Sequence, residues 1–146
     1  MLRKCLTVAA MMTAVTVAFA AFSWADDDSP LHKLMEGVNK KNAVVTKSLK
    51  SVTTYKKDQA KAAAAAEALI KAAKESKKDT SAVTKQKKTV AEWNKLSEEF
   101  IKKTQDLSDA IAKGTSKAEY DQAKVAHTAV KASCSACHDV FRIEDK

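Results

Sequence analysis

Residues 134–138 read Cys-Ser-Ala-Cys-His, a C-x-x-C-H pattern near the end of the chain. This pattern is typical of the covalent attachment of c-type haem. Two thiols about one helical turn apart can each form a thioether bond with a haem vinyl group, and the next imidazole can then bind the iron from one face. The pattern predicts that Cys134 and Cys137 hold one haem c and that His138 is an iron ligand.

Two other kinds of site use a C-x-x-C pair. A dithiol redox pair is expected in a thioredoxin-like βαβ context, whereas the sequence lacks the β-branched alternation that predicts strands. A structural zinc site needs further Cys or His ligands at suitable spacing, and Cys134, Cys137 and His138 are too few. A helical binding module that does not use the motif is a third alternative.

Residues 1–25 have the features of a secretory signal. A basic start with Arg3 and Lys4 precedes an almost wholly apolar run at 6–22, and a small-x-small site ends at Ala25. Cleavage there predicts a periplasmic protein with no stable membrane association, which agrees with haem attachment outside the cytoplasm. The alternative is a retained anchor, since the apolar run is nearly long enough to span a membrane.

The composition of the remaining chain predicts one all-helical domain at 26–146. The whole sequence contains 2 glycines and 1 proline, and it is rich in Ala, Lys and Glu, which favour helices. Cleavage would leave 24 of the 26 basic residues and all 18 acidic ones, a net charge of about +6. Because Cys5 leaves with the signal, Cys134 and Cys137 would be the only cysteines of an exported chain without disulfides.

The lysine excess has two interpretations. A basic chain can bind nucleic acid, but here acidic residues alternate with the lysines, no nucleic-acid-binding motif is found, and export argues against that partner. Most of the lysines are therefore assigned to a solvated face. Some are expected to steer redox partner proteins with acidic docking surfaces toward the haem edge.

Apolar spacing predicts four amphipathic helices, at about 30–52, 57–77, 81–113 and from 116 onward. Ser29 is expected to cap the first, Gly114 to end the third, and Ser116 with Glu119 to form a capping box for the fourth. The third is unusually long, so either its first turns form a loop or it projects beyond the others. The fourth carries a stripe with alternating steps of three and four residues: Tyr120, Ala123, His127, Val130, Cys134, Cys137 and Phe141.

Four such helices with short connections predict an antiparallel up-down-up-down four-helix bundle with a C-terminal haem site. In that topology Met35, near the start of the first helix, lies level with His138 and is the predicted second iron ligand, since a thioether suits haem iron. The alternative is that Met35 only fills the core. His32 could compete for the iron but is expected to be solvated, and His127 is expected to be a hydrogen-bonded core histidine.

The run from Cys134 to Arg142 resembles the class II c-type cytochromes, whose C-x-x-C-H lies near the C-terminus and is followed by x-x-Phe/Tyr-Arg. The resemblance implies a periplasmic four-helix bundle in which Phe141 and Arg142 pack near the haem, with Arg142 beside a propionate. It also implies that His138 is the proximal ligand. The family is compatible with a homodimer, which the apolar stripes do not predict.

The resemblance leaves two functions open. Lys33-Leu34-Met35 looks like the ligand-bearing stretch of the low-spin branch, which implies a six-coordinate electron carrier without enzymatic activity. The cytochrome c-prime branch is five-coordinate and binds small gases such as NO and CO. The expected function is periplasmic electron transfer, with gas binding as the alternative.

Overall fold

We describe the fold from a computed structural model, in which residues 29–142 are described. These residues form five α-helices and no strand, which confirms the prediction of an all-α chain over this range. The predicted signal at 1–25 and the ends of the predicted domain, 26–28 and 143–146, lie outside the described residues. The helices are α1 (Pro30–Ser48), α2 (Val52–Lys78), α3 (Ser81–Gln86), α4 (Val90–Ala112) and α5 (Lys117–Phe141).

The boundary between the first two helices differs from the prediction. The first helix was expected to reach Val52, but α1 ends at Ser48 and α2 begins at Val52. The side chain of Ser51 accepts a hydrogen bond of 3.1 Å from the backbone N–H of Thr54 and caps α2. Apolar residues continue at the same spacing across this turn, so periodicity alone does not reveal the break.

The expected long third helix is divided into two. α3 ends at Gln86, Lys87 takes a left-handed conformation with φ 52°, and α4 begins at Val90. Thr89 caps α4 by accepting a hydrogen bond of 3.1 Å from the N–H of Glu92. A single helix over 81–113 is therefore wrong, and its first turns form a short separate helix rather than the loop that the sequence also allows.

A central cluster of buried apolar side chains joins α1, α2, α4 and α5. The alanine side chains of α2 are small, so α2 lies close to both α1 and α4. Helix α4 also packs along α5. Tyr55 and Tyr120 close one end of this cluster, with their ring centroids 5.7 Å apart. The central cluster consists of Val38, Val45, Leu49, Tyr55, Ala62, Ala65, Ala66, Leu69, Ala73, Phe100, Leu107, Ala110, Ile111, Tyr120, Ala123 and Val130.

A second, smaller group of buried side chains lies around the end of α5. We call it the terminal cluster, and it consists of Leu31, Ala82, Val83, Trp93 and Phe141. The rings of Trp93 and Phe141 meet edge to face, with centroids 5.0 Å apart at 84°. The side chain of Gln86 donates a hydrogen bond of 2.7 Å to the carbonyl oxygen of Arg142, so α3 closes over the end of α5.

Candidate functional site

The start of α5 is firmly defined, and this fixes the helix on which the motif lies. The side chain of Ser116 accepts from the N–H of Glu119, and the Glu119 carboxylate accepts from the N–H of Ser116 at 2.7 Å. The predicted capping box is thus confirmed. From this start the stripe of α5 faces the core, and its last members are Cys134, Cys137 and Phe141.

The two thiols lie where the two clusters meet. Cys134 is half-buried against the central cluster, and Cys137 is half-buried against the terminal cluster. Both are free cysteines. The side chains are therefore on the core side of α5 but remain partly accessible, as covalent modification of both requires.

The thiols are poorly suited to disulfide exchange. Burial raises the pKa of Cys134. Burial, together with the proximity of Cys134, raises the pKa of Cys137 to about 11. Reactive pairs in dithiol oxidoreductases have lowered pKa values, because the thiolate is the nucleophile. The electrostatics of this pair therefore disfavour the dithiol redox interpretation.

His138 is exposed on the side of α5 that faces α1. It follows Tyr120 by 18 residues, which is five turns of an α-helix, so both lie at the same angle around the axis. Tyr120 points to α1, since its hydroxyl donates to the carbonyl oxygen of Leu49 at 3.2 Å. Partial desolvation and the nearby Arg142 charge lower the pKa of His138, with Asp139 opposing them, so the imidazole is kept in the neutral form that binds metals.

Two long-range hydrogen bonds define how α5 lies against α1. Besides the bond from Tyr120 to Leu49, Nε2 of His127 lies 2.7 Å from Oδ1 of Asn42. Seven residues forward along α5 thus correspond to seven residues back along α1. The two helices run in opposite directions, with the start of α1 beside the end of α5.

The next step of seven in this register reaches Met35 on α1 and Cys134 on α5. A further step of about one turn brings Leu31 to the level of His138, so Met35 lies about one helical turn from the level that the sequence predicts for it. Met35 is half-buried and packs against the terminal cluster, as does Cys137. The structure therefore brings Met35 to the part of the molecule that contains the motif, although α1 and α5 are distant in sequence.

The backbones of α1 and α5 are more widely separated than those of the other neighbouring helices. Within residues 29–142 their Cα atoms scarcely come within 8 Å of each other, in contrast to the α1–α2, α2–α4 and α4–α5 pairs. The two helices are therefore joined along this seam mainly through their side chains. His138 lies on this side of α5.

Phe141 and Arg142 have different environments. Phe141 is buried beneath the motif against Trp93. Arg142 is exposed at the end of α5. Its carbonyl oxygen accepts a hydrogen bond from the side chain of Gln86, and its backbone N–H donates to the carbonyl oxygen of His138 at 3.0 Å. The structure thus brings both residues of the sequence motif next to His138.

The other two histidines lie as expected from the sequence. His32 is exposed, with its Nε2 3.9 Å from a carboxylate oxygen of Glu36. His127 is buried and hydrogen-bonded, which confirms the prediction of a core histidine. Asn42, its partner, was not singled out from the sequence, although it lies midway between the stripe members Met35 and Leu49 at steps of seven.

One open cavity of about 630 Å³ lies near this end of the molecule, between the start of α1 and the turn from α2 to α3. Pro30 and Leu34 line one side of it, and none of its lining residues belongs to α5. The cavity is therefore separate from the face that carries the cysteines.

Within residues 29–142, no group of three His, Cys, Asp or Glu side chains is arranged so that it could hold a metal ion. A haem iron takes four ligands from the porphyrin and needs only one or two side chains from the protein. None of the described helices is both long enough and apolar enough to cross a membrane.

Comparison with known proteins adds no relative. No family model, no curated protein and no solved structure matches this chain. A function for the chain is therefore inferred from its own residues and their arrangement.

Proposed function

We propose that this protein is a periplasmic electron carrier of the class II cytochrome c type, with one haem c bound through Cys134 and Cys137. His138 would bind the iron on one side and Met35 on the other. Phe141 would pack near the haem, and Arg142 would lie near a propionate. The helices would form an up-down-up-down bundle, with α3 inserted in the connection between α2 and α4.

The observation that supports this proposal most strongly is the register between α1 and α5, in which Met35 is about level with Cys134. The stripe on α1 and the C-x-x-C-H pattern on α5 are independent features of the sequence, separated by about a hundred residues. A methionine that only fills the core needs no particular level along the bundle. An iron ligand must lie at a particular level along the bundle, because it has to reach the iron that the motif would hold.

The residues present fit a haem on three grounds. Cys134 and Cys137 are free, partly accessible and on one face of a helix. The imidazole of His138 is exposed toward the seam with α1, where the helix backbones are separated. Apolar side chains of the terminal cluster pack against Met35 and Cys137 and would keep water from one side of the ring.

A bound haem would supply reversible one-electron chemistry, and the side chains of the chain would set its potential. Ligation by Met and His raises the reduction potential relative to ligands that donate more electron density. Burial against Trp93 and Phe141 would act in the same direction, because an apolar environment disfavours the extra positive charge of the ferric state. The chain needs no substrate pocket for this role.

The first experiment is an optical spectrum of the protein matured with a cytochrome c assembly system, combined with its intact mass. The expected result is one covalent haem, a low-spin ferric spectrum with the weak far-red Met-to-iron band, and no response of the reduced form to carbon monoxide. Substitution of both Cys134 and Cys137 by serine is expected to abolish the covalent mass.

The Met35→Ala variant tests the second ligand. It is expected to keep the covalent haem, lose the low-spin ferric spectrum and bind carbon monoxide, because the sixth position opens. Val44→Ala, at an exposed position of the same helix, is the control and should change none of these properties. A parent protein that is already high-spin and binds carbon monoxide would instead support the gas-binding alternative, and absence of covalent haem would refute both.

A further inference from the structure

The hydrogen bond between Asn42 and His127 lies on the α1–α5 seam, seven residues from Met35 on one helix and seven from Cys134 on the other. We infer that these two residues are positioning residues: they hold α1 in register with α5 and thereby keep Met35 level with the cysteine motif. The second part of this inference rests on the proposed function, whereas the first part concerns the protein chain alone.

Other direct links between α1 and α5 are few. Because their backbones are separated, close packing of ridges and grooves contributes little to fixing one helix along the other. Tyr120 anchors the far end of the seam through the carbonyl oxygen of Leu49. The contact of Asn42 with His127 is the hydrogen bond of this seam that lies closest to the motif among those described for residues 29–142.

The hydrogen bond between Asn42 and His127 is largely shielded from water. His127 is only 5% exposed, so its ring nitrogens have little access to water. Its Nε2–H donates to Oδ1 of Asn42 over 2.7 Å, and loss of the acceptor would leave a buried donor without a partner. A slip of α1 along α5 by more than about half an ångström would take this bond beyond ordinary hydrogen-bonding distance, whereas apolar contacts have no comparable directional requirement. The pair therefore selects one register.

Met35 lies on the same uninterrupted helix as Asn42. From Asn42 to Met35 is two turns of a continuous helix, about 10 Å, and α1 has no proline or break between them. A helix of this length moves as a rigid body, so the register set at Asn42 is transmitted to Met35. Coordination needs the thioether within bonding distance of the iron, which makes ligation more sensitive to a slip than packing is.

The test compares four variants. Asn42→Leu keeps a similar volume but removes the acceptor, and Asn42→Asp keeps an acceptor oxygen. His127→Gln retains a side-chain N–H, and Asn39→Ala changes an exposed asparagine on the same helix. Amide hydrogen exchange of α1 is measured on the full chain without haem, and the Met-to-iron band and carbon monoxide binding are measured on the matured protein.

In Asn42→Leu, the backbone amides of α1 are expected to exchange about fivefold faster than in the parent. The ratio of Met-bound to Met-free haem is expected to fall by about the same factor. A fivefold change corresponds to the free energy of about one ordinary hydrogen bond. Asn42→Asp, His127→Gln and Asn39→Ala should resemble the parent in both measurements. A merely structural role would change exchange throughout the protein but leave the Met-to-iron band intact, and that result would overturn the inference.

The two proposals fail in different ways. If the matured parent lacks covalent haem or the Met-to-iron band, the proposed function is refuted, and hydrogen exchange alone then decides whether the pair holds the register. If the parent shows the band and Asn42→Leu changes neither the band nor the exchange of α1, the proposed function stands and the positioning role is refuted.

Discussion

His127 links the chemistry of one residue to the stability of the whole protein. Burial, and to a smaller extent the positive charge of Lys131, lowers its pKa from the ordinary value of 6.5. In the unfolded chain the imidazole takes up a proton near that ordinary value, whereas in the folded protein it does so only at lower pH. The unfolded state therefore binds more protons just below pH 6.5, and acidification favours unfolding.

We expect the contribution of His127 to the free energy of unfolding to be constant above about pH 7 and to fall as the pH drops below 6.5. In the His127→Gln variant this part of the decrease should be absent, since glutamine does not titrate. Urea unfolding of both proteins without haem, at several pH values from 7.5 to about 5, measures the difference. Carboxylates and His138 are present in both proteins, so their contributions cancel in the comparison. Parallel curves of unfolding free energy against pH would contradict a lowered pKa at His127.

At this scale the sequence identifies the candidate residues, except where a hydrogen-bonding partner is distant along the chain. The spacing of Cys134, Cys137 and His138 identifies a candidate site because it is local, and the stripe on α5 correctly places His127 in the core. Asn42 could not be assigned, because an asparagine on an apolar stripe looks like an exposed residue until the facing helix is known. The register between α1 and α5 is a tertiary property and is absent from either helix alone.

At the scale of elements, the capping residues determine where the chain turns. Ser116 with Glu119 was recognisable because both halves of a capping box are close in sequence. Ser51 and Thr89 were missed because each lies within a run whose apolar spacing continues across the turn. The division of the expected third helix matters for the site, since it allows α3 to fold over the end of α5 and to bring Val83 against Phe141.

The turn between α3 and α4 contains Lys87, whose left-handed backbone costs a residue with a side chain about 1 kcal/mol relative to glycine. We expect Lys87→Gly to raise the free energy of unfolding by up to about 1 kcal/mol, because glycine adopts this conformation without strain. Lys88→Gly is the matched control. It removes the same charge at a position with negative φ and should be neutral or destabilising, as measured by urea unfolding.

Equal effects of the two glycine variants would contradict this argument, because then the lost charge and not the backbone would be responsible. A stabilised Lys87→Gly protein also offers a check on the site. Because the substitution relieves strain at Lys87 without moving α3 from the end of α5, the optical spectrum of the haem-loaded protein should remain unchanged.

At the scale of the molecule, the distribution of charge affects association with charged molecules more than it affects structural stability. The ion pairs on the described surface are largely between exposed side chains, several of them one helical turn apart, as in Lys78 with Glu75 and Lys117 with Asp121. Such pairs contribute little to stability. The excess of positive charge, about +6 for residues 26–146, instead creates a long-range field that attracts anions.

This field gives a prediction for the haem-loaded protein. Electron exchange with an anionic reagent such as ferricyanide should slow as salt is raised from 10 to 200 mM, because the Debye length shrinks from about 30 Å to below 10 Å. Exchange with a cationic cobalt complex should speed up over the same range, since screening then removes a repulsion. The opposite signs distinguish steering by net charge from a general effect of salt on the protein, which would change both rates in the same direction. Stopped-flow measurement of haem oxidation and reduction supplies both slopes. Rates independent of salt for both reagents would mean that the lysines near the haem edge are balanced by acids, and that the positive field lies elsewhere on the surface.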